Sequence, residues 1–323
     1  MEPLELRNKE FVETRDYNSK ISFIGVISSF GRKLDSSIES IDNIAQDLGN
    51  DYEIILTNIS DSSLPADKRK DYSELYPNLH IIEDRKGNFG HGKEIAYRNS
   101  DGRFIVPFCT DISYPVAYAD MIHGFLGMRI KRLFYSELSL INREFIDQVG
   151  GWRDLSNGED IDLYSRLAVN YGVFAFPTLL LKLDEVMRNE LLSIRFVGTR
   201  ELGYGTAIRM LRDLIISCNY SLSDMKELRK IGKRMSKNYM KNSTVAYILA
   251  KFAATKPNRY SKNNFLILFE SILESVVLKE YLKISELSID ASLELDRVHL
   301  IYLKNKSKLF SDLESSVSNL FVS

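Results

Sequence analysis

Between residues 21 and 108 the chain alternates short apolar runs with segments of helical period. Residues 21–27 (ISFIGVI) are apolar almost throughout, as in a strand buried on both faces of a parallel sheet. Residues 34–48 carry Leu34, Ile38, Ile41, Ile44 and Leu48 at helical spacing. Further strands are predicted at 52–56 (YEIIL), 79–82 and 104–108. A loop follows from Asn58, and a glycine-rich stretch at 88–99 turns helical. Residues 112–130 read as a connector and 131–140 as more strand. This order predicts an α/β fold with a mostly parallel sheet. Ligands of such sheets bind beyond the C-terminal strand ends, so the polar residues there are the first candidates.

Residues 139–170 hold an acidic cluster beside a glycine turn. Asn142 is placed to cap a short helix with Phe145, Ile146 and Val149 on its apolar side. Gly150 and Gly151 end that helix, because glycine enters left-handed conformations without steric cost. Trp152 packs the turn down, and 153–158 form a loop. Glu159 and Asp160 then open a second helix, where free N–H groups favour negative charge. Its buried side is Leu163, Leu167 and Val169, and Asp162 and Arg166 stand four apart, a spacing that permits an ion pair. Two acids at a helix start are explained by capping alone; the functional alternative is a positioned general base.

Beyond this, 171–177 and 179–183 read as short strands, with the charged residues Lys182, Asp184, Glu185 and Arg188 in and just after the second. Arg195 and Arg200 lie in a stretch suited to a flap. Helical periods dominate after Gly205, with helices predicted at 207–216, 222–241, 245–254 and 264–282 and the same style over 283–313. Lys226, Lys230, Lys233, Lys237 and Lys241 share one helical face, which suits either solvent or an anionic lipid surface. The predicted organisation is a lead-in over 1–20, an α/β domain over 21–204 and a C-terminal helical domain over 205–323.

The formal net charge of -1 argues against nucleic acid as a bulk electrostatic partner. Cys109 and Cys218 form neither a metal pattern nor a disulfide framework, which points to a reducing, cytoplasmic setting. The charged N-terminus does not read as a signal peptide, and no run is long and apolar enough to span a bilayer. Peripheral contact with the inner face of the membrane stays compatible with the sequence. Residues 87–93 (GNFGHGK) match part of a phosphate-binding Walker loop, but Glu94 stands where its Ser or Thr would be. Asn58-Ile59-Ser60 also fits an N-glycosylation acceptor pattern.

GEDIDLYSRL at 158–167, preceded by INREFIDQVGGW, resembles the acceptor-side motif of inverting GT-A glycosyltransferases of family 2. The resemblance continues at the strand ends, over roughly 21–200. SSFGR after the first strand is similar to the family's segment against the nucleotide base, which places Ser29 and Phe30 there. The second strand end puts Asn58 in the place of a base-contacting aspartate. The glycine-rich segment resembles one that approaches the nucleotide sugar, with Gly90, His91 and Lys93 as donor contacts. The fourth strand end matches the metal-binding DxD motif in degenerate form: Cys109 replaces the first aspartate, Thr110 is the middle residue, and Asp111 remains.

The resemblance implies a GT-A fold, a Rossmann-like nucleotide-diphospho-sugar transferase. It implies transfer of a sugar, with inversion, from a nucleotide-sugar donor to a glycan, lipid-linked or protein acceptor, as in cell-surface glycan biosynthesis. Asp160 takes the role of catalytic base, with Glu159 close to the acceptor or orienting the base. Asp111 becomes the ligand for Mg2+ or Mn2+, with metal dependence put in question by Cys109. The alternatives are an inactive GT-A domain that binds a sugar nucleotide or acts as a scaffold, and nucleotide transfer on the same fold. Oligomeric state is left open.

Overall fold

A computed structural model describes residues 19–30, 32–84, 87–127, 132–175, 204–231, 239–253, 264–277, 302, 303 and 305–308. Its central strand is β1 (Ile21–Ile27), buried along its whole length. Beside it lie β2 (Tyr52–Asn58) on one edge and β4 (Phe104–Pro107) on the other, with β3 (Leu79–Glu83) outside β2. These four strands run parallel. A short β6 (Ile141–Asn142) closes the order β3-β2-β1-β4-β6 and pairs antiparallel with β4. The register sets Ile24 against Ile55 and Pro107, and Ile27 against Asn58. Pro107 lacks an N–H, and it stands at the last position of its strand.

Successive side chains of a strand point to opposite faces, and β1 feeds two cores accordingly. Ile21, Phe23 and Ile27 pack with α1 (Arg32–Leu48) and α4 (Ala117–Gly127). Ile24 joins the other core, with Ala96 and Tyr97 of α3 (Phe89–Arg98), Phe145 and Ile146 of α5 (Arg143–Val149), and Leu163 and Leu167 of α6 (Glu159–Tyr171). That second core continues into α7 (Tyr204–Cys218), α8 (Leu222–Ile231), α9 (Tyr239–Ala253) and α10 (Asn264–Val277). α7 and α10 both lie on α6, and α10 also covers β7 (Val173–Ala175), which pairs parallel with β5 (Leu133–Tyr135). The result is a mixed α/β architecture with helices on both faces of a mostly parallel sheet, joined to a helical C-terminal region.

Several elements differ from the expectation, and the strand read over 131–140 is β5 followed by a turn. β2 runs on to Asn58 rather than stopping before it, because pairing with β1 and β3 continues to that residue. α2 (Ala66–Leu75) stands where no helix was predicted. Its sequence is almost wholly polar and buries Tyr72, whose hydroxyl bonds to Asp35. Lys68 also meets Asp35 at 3.0 Å, and Arg69 meets Glu83 at 2.8 Å. The expected connector over 112–130 contains α4, whose Tyr118, Ala119, Met121, Ile122, Phe125 and Leu126 are buried on one side while Asp120, His123 and Gly124 are exposed, a helical period inside the segment read as a connector.

The expected helix over 222–241 is seen as α8 and the start of α9, with 232–238 outside the described residues. Also outside them are the lead-in up to residue 18, the expected strand at 179–183, Lys182, Asp184, Glu185, Arg188, Arg195, Arg200, Lys233, Lys237 and most of 283–313. No helix among the described residues is long and apolar enough to cross a membrane.

Candidate active site

The turn that precedes α6 is built by glycines and one buried arginine. Asn142 caps α5 by accepting from Glu144 N–H at 2.9 Å. Gly150 and Gly151 follow at φ 88° and 74°, in the left-handed region that side chains rarely adopt. The expected ion pair forms: Arg166 Nη2 donates to Asp162 Oδ2 at 2.7 Å, with Arg166 2% exposed. The same guanidinium donates to the carbonyls of Val149 at 2.7 Å and Gly151 at 2.8 Å. α6 is thereby tied to the backbone of the glycine turn. Trp152, the next residue, donates its own N–H to Glu94 of α3 at 2.8 Å and its indole Nε1–H to Asp160 Oδ1 at 2.9 Å. Trp152 therefore does more than pack the turn; it holds the carboxylate.

α3 delivers the second partner. Asn88 caps it by accepting from His91 N–H at 3.0 Å. The helix then runs so close to the 153–155 loop that a Cβ on Gly90 would collide with Arg153 O and come within 2.8 Å of Leu155 N. Gly90 N–H donates to Leu155 O at 2.9 Å. One turn on, the buried Lys93 places Nζ 2.9 Å from Glu159 Oε1 and in contact with Asp160 Oδ2. Burial by itself would lower the Lys93 pKa, but the carboxylates of Asp160 and Glu159 outweigh it and hold the ammonium above its ordinary range. Burial raises Glu159, and Lys93 only partly offsets that.

The loop between Trp152 and α6 is anchored from the C-terminal region. Ser156 N–H donates to Asp213 Oδ2 of α7 at 2.8 Å, and Asp213 is fully buried with Arg212 Nε at 2.7 Å. Burial pushes the Asp213 carboxyl up, against the pull of Arg212.

Lys93, Glu159 and Asp160 open onto a cleft at the C-terminal ends of β1 and β4, lined also by Thr110, Asp111, Glu137 and the aromatic side chains of Phe89, Phe108, Tyr114, Tyr135 and Tyr164. The turn after β4 is pinned to β1: Phe108 N–H donates to Ile24 O at 2.9 Å and Thr110 Oγ1 to Val26 O at 2.8 Å. That leaves Cys109 and Asp111 exposed.

Of the predicted site residues, the fold brings Lys93, Thr110, Asp111, Glu159 and Asp160 to this cleft. Gly90 serves the contact between α3 and the 153–155 loop. His91 faces Asp84, Nε2 to Oδ2 at 3.0 Å. Asn58 is fully buried with its amide donating to Ser62 O at 2.9 Å and Glu83 Oε2 at 2.8 Å, while its oxygen accepts from Ser60 Oγ at 2.7 Å. Ser29 is exposed just past β1, and Phe30 is half-buried against the core. Two cleft features had no sequence signal: the indole bond to Asp160, and Glu137.

For a divalent cation, Asp111 is an exposed oxygen ligand of the hard type that Mg2+ or Mn2+ takes. Thr110 Oγ1 already donates to Val26 O, and the thiol of Cys109 suits softer metals. No group of three or more His, Cys, Asp or Glu among the described residues is arranged to hold a metal ion. At this turn the described residues therefore offer an ion one exposed carboxylate, that of Asp111.

No protein-family model matches the chain, and no curated protein matches it. Among solved structures it is similar to the mannosyltransferase PcManGT from Pyrobaculum calidifontis in complex with GDP-Man and Mn2+, at 13% identity over 93% of this chain and 92% of the other, with a TM-score of 0.42. It is also similar to residues 1–349 of S. aureus TarS in complex with UDP-GlcNAc, at 10% identity over 92% of each chain and a TM-score of 0.42. For S. aureus TarS the identity is 10% over 84% of this chain and 55% of that one, with a TM-score of 0.45.

Proposed function

We propose that this chain is an inverting glycosyltransferase of the GT-A type, similar to family 2, that moves a sugar from a nucleotide-diphosphate sugar to an acceptor hydroxyl. The observation that carries the reading is the position of Asp160. It stands at the start of α6, in a cleft at the strand ends, held by Trp152 and Lys93 and sharing that cleft with Asp111. This is the arrangement that the GEDIDL resemblance leads one to expect for a base and a donor-side carboxylate.

In this reading the acceptor oxygen attacks the anomeric carbon from the face opposite the diphosphate. Its proton passes to Asp160 as the new C–O bond forms, and the bond to the diphosphate oxygen breaks with its electron pair. Lys93 and Trp152 hold Asp160 still, so that little reorganisation is needed as the proton arrives. Asp111 offers the ligand for Mg2+ or Mn2+, an ion that supplies charge neutralisation at the diphosphate when bound. The lining, which holds four carboxyl side chains and one lysine among the described residues, supports a role for such a cation beside a diphosphate. The helical region after residue 204 supports the site through α7 and α10 on α6.

The test is turnover of UDP-, GDP- and dTDP-sugars by wild type and by Asp160→Asn, with magnesium, manganese or EDTA, following release of the nucleoside diphosphate. Release with one donor, reduced about 10²-fold or more in the variant, is the expected result for loss of a general base. Donor binding that is equal in both proteins, with no turnover on any acceptor, would transfer the assignment to a sugar-nucleotide-binding or scaffold role.

A further inference from the structure

β5 ends at Tyr135, and the chain then makes a tight turn over 136–139. Ser139 Oγ donates to Ser136 O at 2.8 Å and accepts from Ser136 N–H at 3.2 Å, while Ser136 Oγ donates to Leu138 O at 2.8 Å. Phe134 and Leu140 close the base of the turn with two backbone bonds, at 3.1 and 3.0 Å. Ser136, Leu138 and Ser139 are all buried. A turn with so many internal bonds presents its remaining residue, Glu137, in one position.

Glu137 lines the same cleft as Asp111, Lys93 and Asp160. From below, the fully buried Tyr118 of α4 donates its hydroxyl to Glu137 Oε2 at 3.0 Å. The other oxygen, Oε1, is enclosed and takes no hydrogen bond among the described residues. An enclosed carboxyl oxygen without a donor is unfavourable and is uncommon in folded proteins unless it has a task. Burial pushes this carboxyl up to about 7, against the opposing pull of its own backbone N–H and of Tyr118. The group therefore accepts a hydrogen bond at neutral pH and can also donate one.

The transferred sugar must lie between the carboxylate that serves the diphosphate and the one that serves the acceptor. A residue fixed on the wall of the cleft that holds both is within the sugar's surroundings. Tyr114, Tyr135 and Tyr164 also contribute to that wall. We propose that Glu137, steadied by Tyr118, is a specificity-determining residue that hydrogen-bonds a hydroxyl of the donor's sugar. The proposal rests on the glycosyltransferase reading and extends it to the sugar half of the donor.

The experiment is isothermal titration of wild type, Glu137→Ala, Glu137→Gln and Tyr118→Phe with UDP, GDP and dTDP, with their hexose conjugates, and with singly deoxygenated forms of the conjugate that binds. The expected result is a loss of about 10-fold or more in affinity for the nucleotide sugar in Glu137→Ala, with the nucleoside diphosphate within about 2-fold of wild type. One deoxy sugar should bind wild type about 10-fold more weakly than its parent, and Glu137→Ala should no longer distinguish the two. Glu137→Gln keeps the shape of the side chain and part of the affinity, which covers the case in which the alanine variant does not fold. Unchanged discrimination in both Glu137 variants, or equal weakening of diphosphate and sugar conjugate, would overturn the assignment alone. If wild type binds none of these ligands, the transferase reading falls and takes this assignment with it.

Discussion

The indole of Trp152 donates to Asp160 Oδ1 at 2.9 Å while its ring lies 5.7 Å, centre to centre, from that of Tyr97. One side chain thus joins the apolar core to the carboxylate proposed as base. Replacing it with Phe keeps the ring contact and removes the donor. Lys93 still holds the other oxygen, so the fold should survive while the carboxylate gains freedom. The expected effect of Trp152→Phe is a fall in kcat of about 10-fold, the scale of one hydrogen bond to a charged group, with little change in donor binding. Steady-state kinetics beside thermal melts check this; wild-type kcat would remove Trp152 from any positioning role.

Arg166 tests the clamp behind the turn. Its methionine variant would leave Asp162 buried with the half-buried Arg153, 3.1 Å away, as its remaining ionic partner among the described residues, and would release two carbonyls. A loss of about 3–5 kcal/mol is expected, as for a broken buried pair. Arg166→Lys should recover only part of it, because one ammonium cannot serve a carboxylate and two carbonyls in fixed directions. Denaturant unfolding of the two variants decides the matter; a lysine variant as stable as wild type would show that charge alone matters here.

At Gly90 the argument is space rather than backbone angle. Alanine would place a methyl group against Arg153 O and Leu155 N, and both are backbone atoms that cannot swing aside as a side chain would. Gly90→Ala should destabilise the protein by about 1–3 kcal/mol, as overpacking does, and reduce turnover through the displaced 153–158 loop. A melting temperature and kcat equal to wild type would mean that the loop moves freely.

Glu137 makes stability depend on pH in a defined window. Its carboxyl is raised from 4.5 to about 7 in the folded protein. Between those values the unfolded chain is ionised while the native carboxyl keeps its proton, so the native state binds more protons and loses stability as pH rises. The contribution is fully present below pH 4.5 and gone above about 7, and amounts to up to about 3 kcal/mol. Glu137→Gln, which stays neutral, should melt above wild type at pH 8, and the gap should close as the pH falls to 5. A gap that is constant across this range would show that the carboxyl titrates normally.

Much of the fold was legible because its signals are local. β1 was read with its observed bounds, since a strand buried on both faces is an unbroken apolar run. The Asn142 cap, the Gly150-Gly151 turn and the Asp162–Arg166 pair follow from rules that span four residues or fewer. α2 escaped because Asp35 and Glu83, which hold it, are far from it in the chain. Asn58 shows the opposite limit: the position at a strand end was correct, but its side chain closes a turn with Ser60 and Ser62.

By itself the sequence determined the α/β pattern, the extent of β1 and the acidic start of α6, because periodicity and capping act between near neighbours. Only the tertiary structure decided which polar residues meet. Lys93 reaches Glu159 and Asp160 across 66 and 67 positions, and Asp213 reaches Ser156 across 57. Glu137 joins them from the turn after β5, with Tyr118 beneath it. Those meetings depend on how helices stack on a twisted sheet. Burial then selects the partners, because a charge taken out of water needs an opposite charge or a donor beside it.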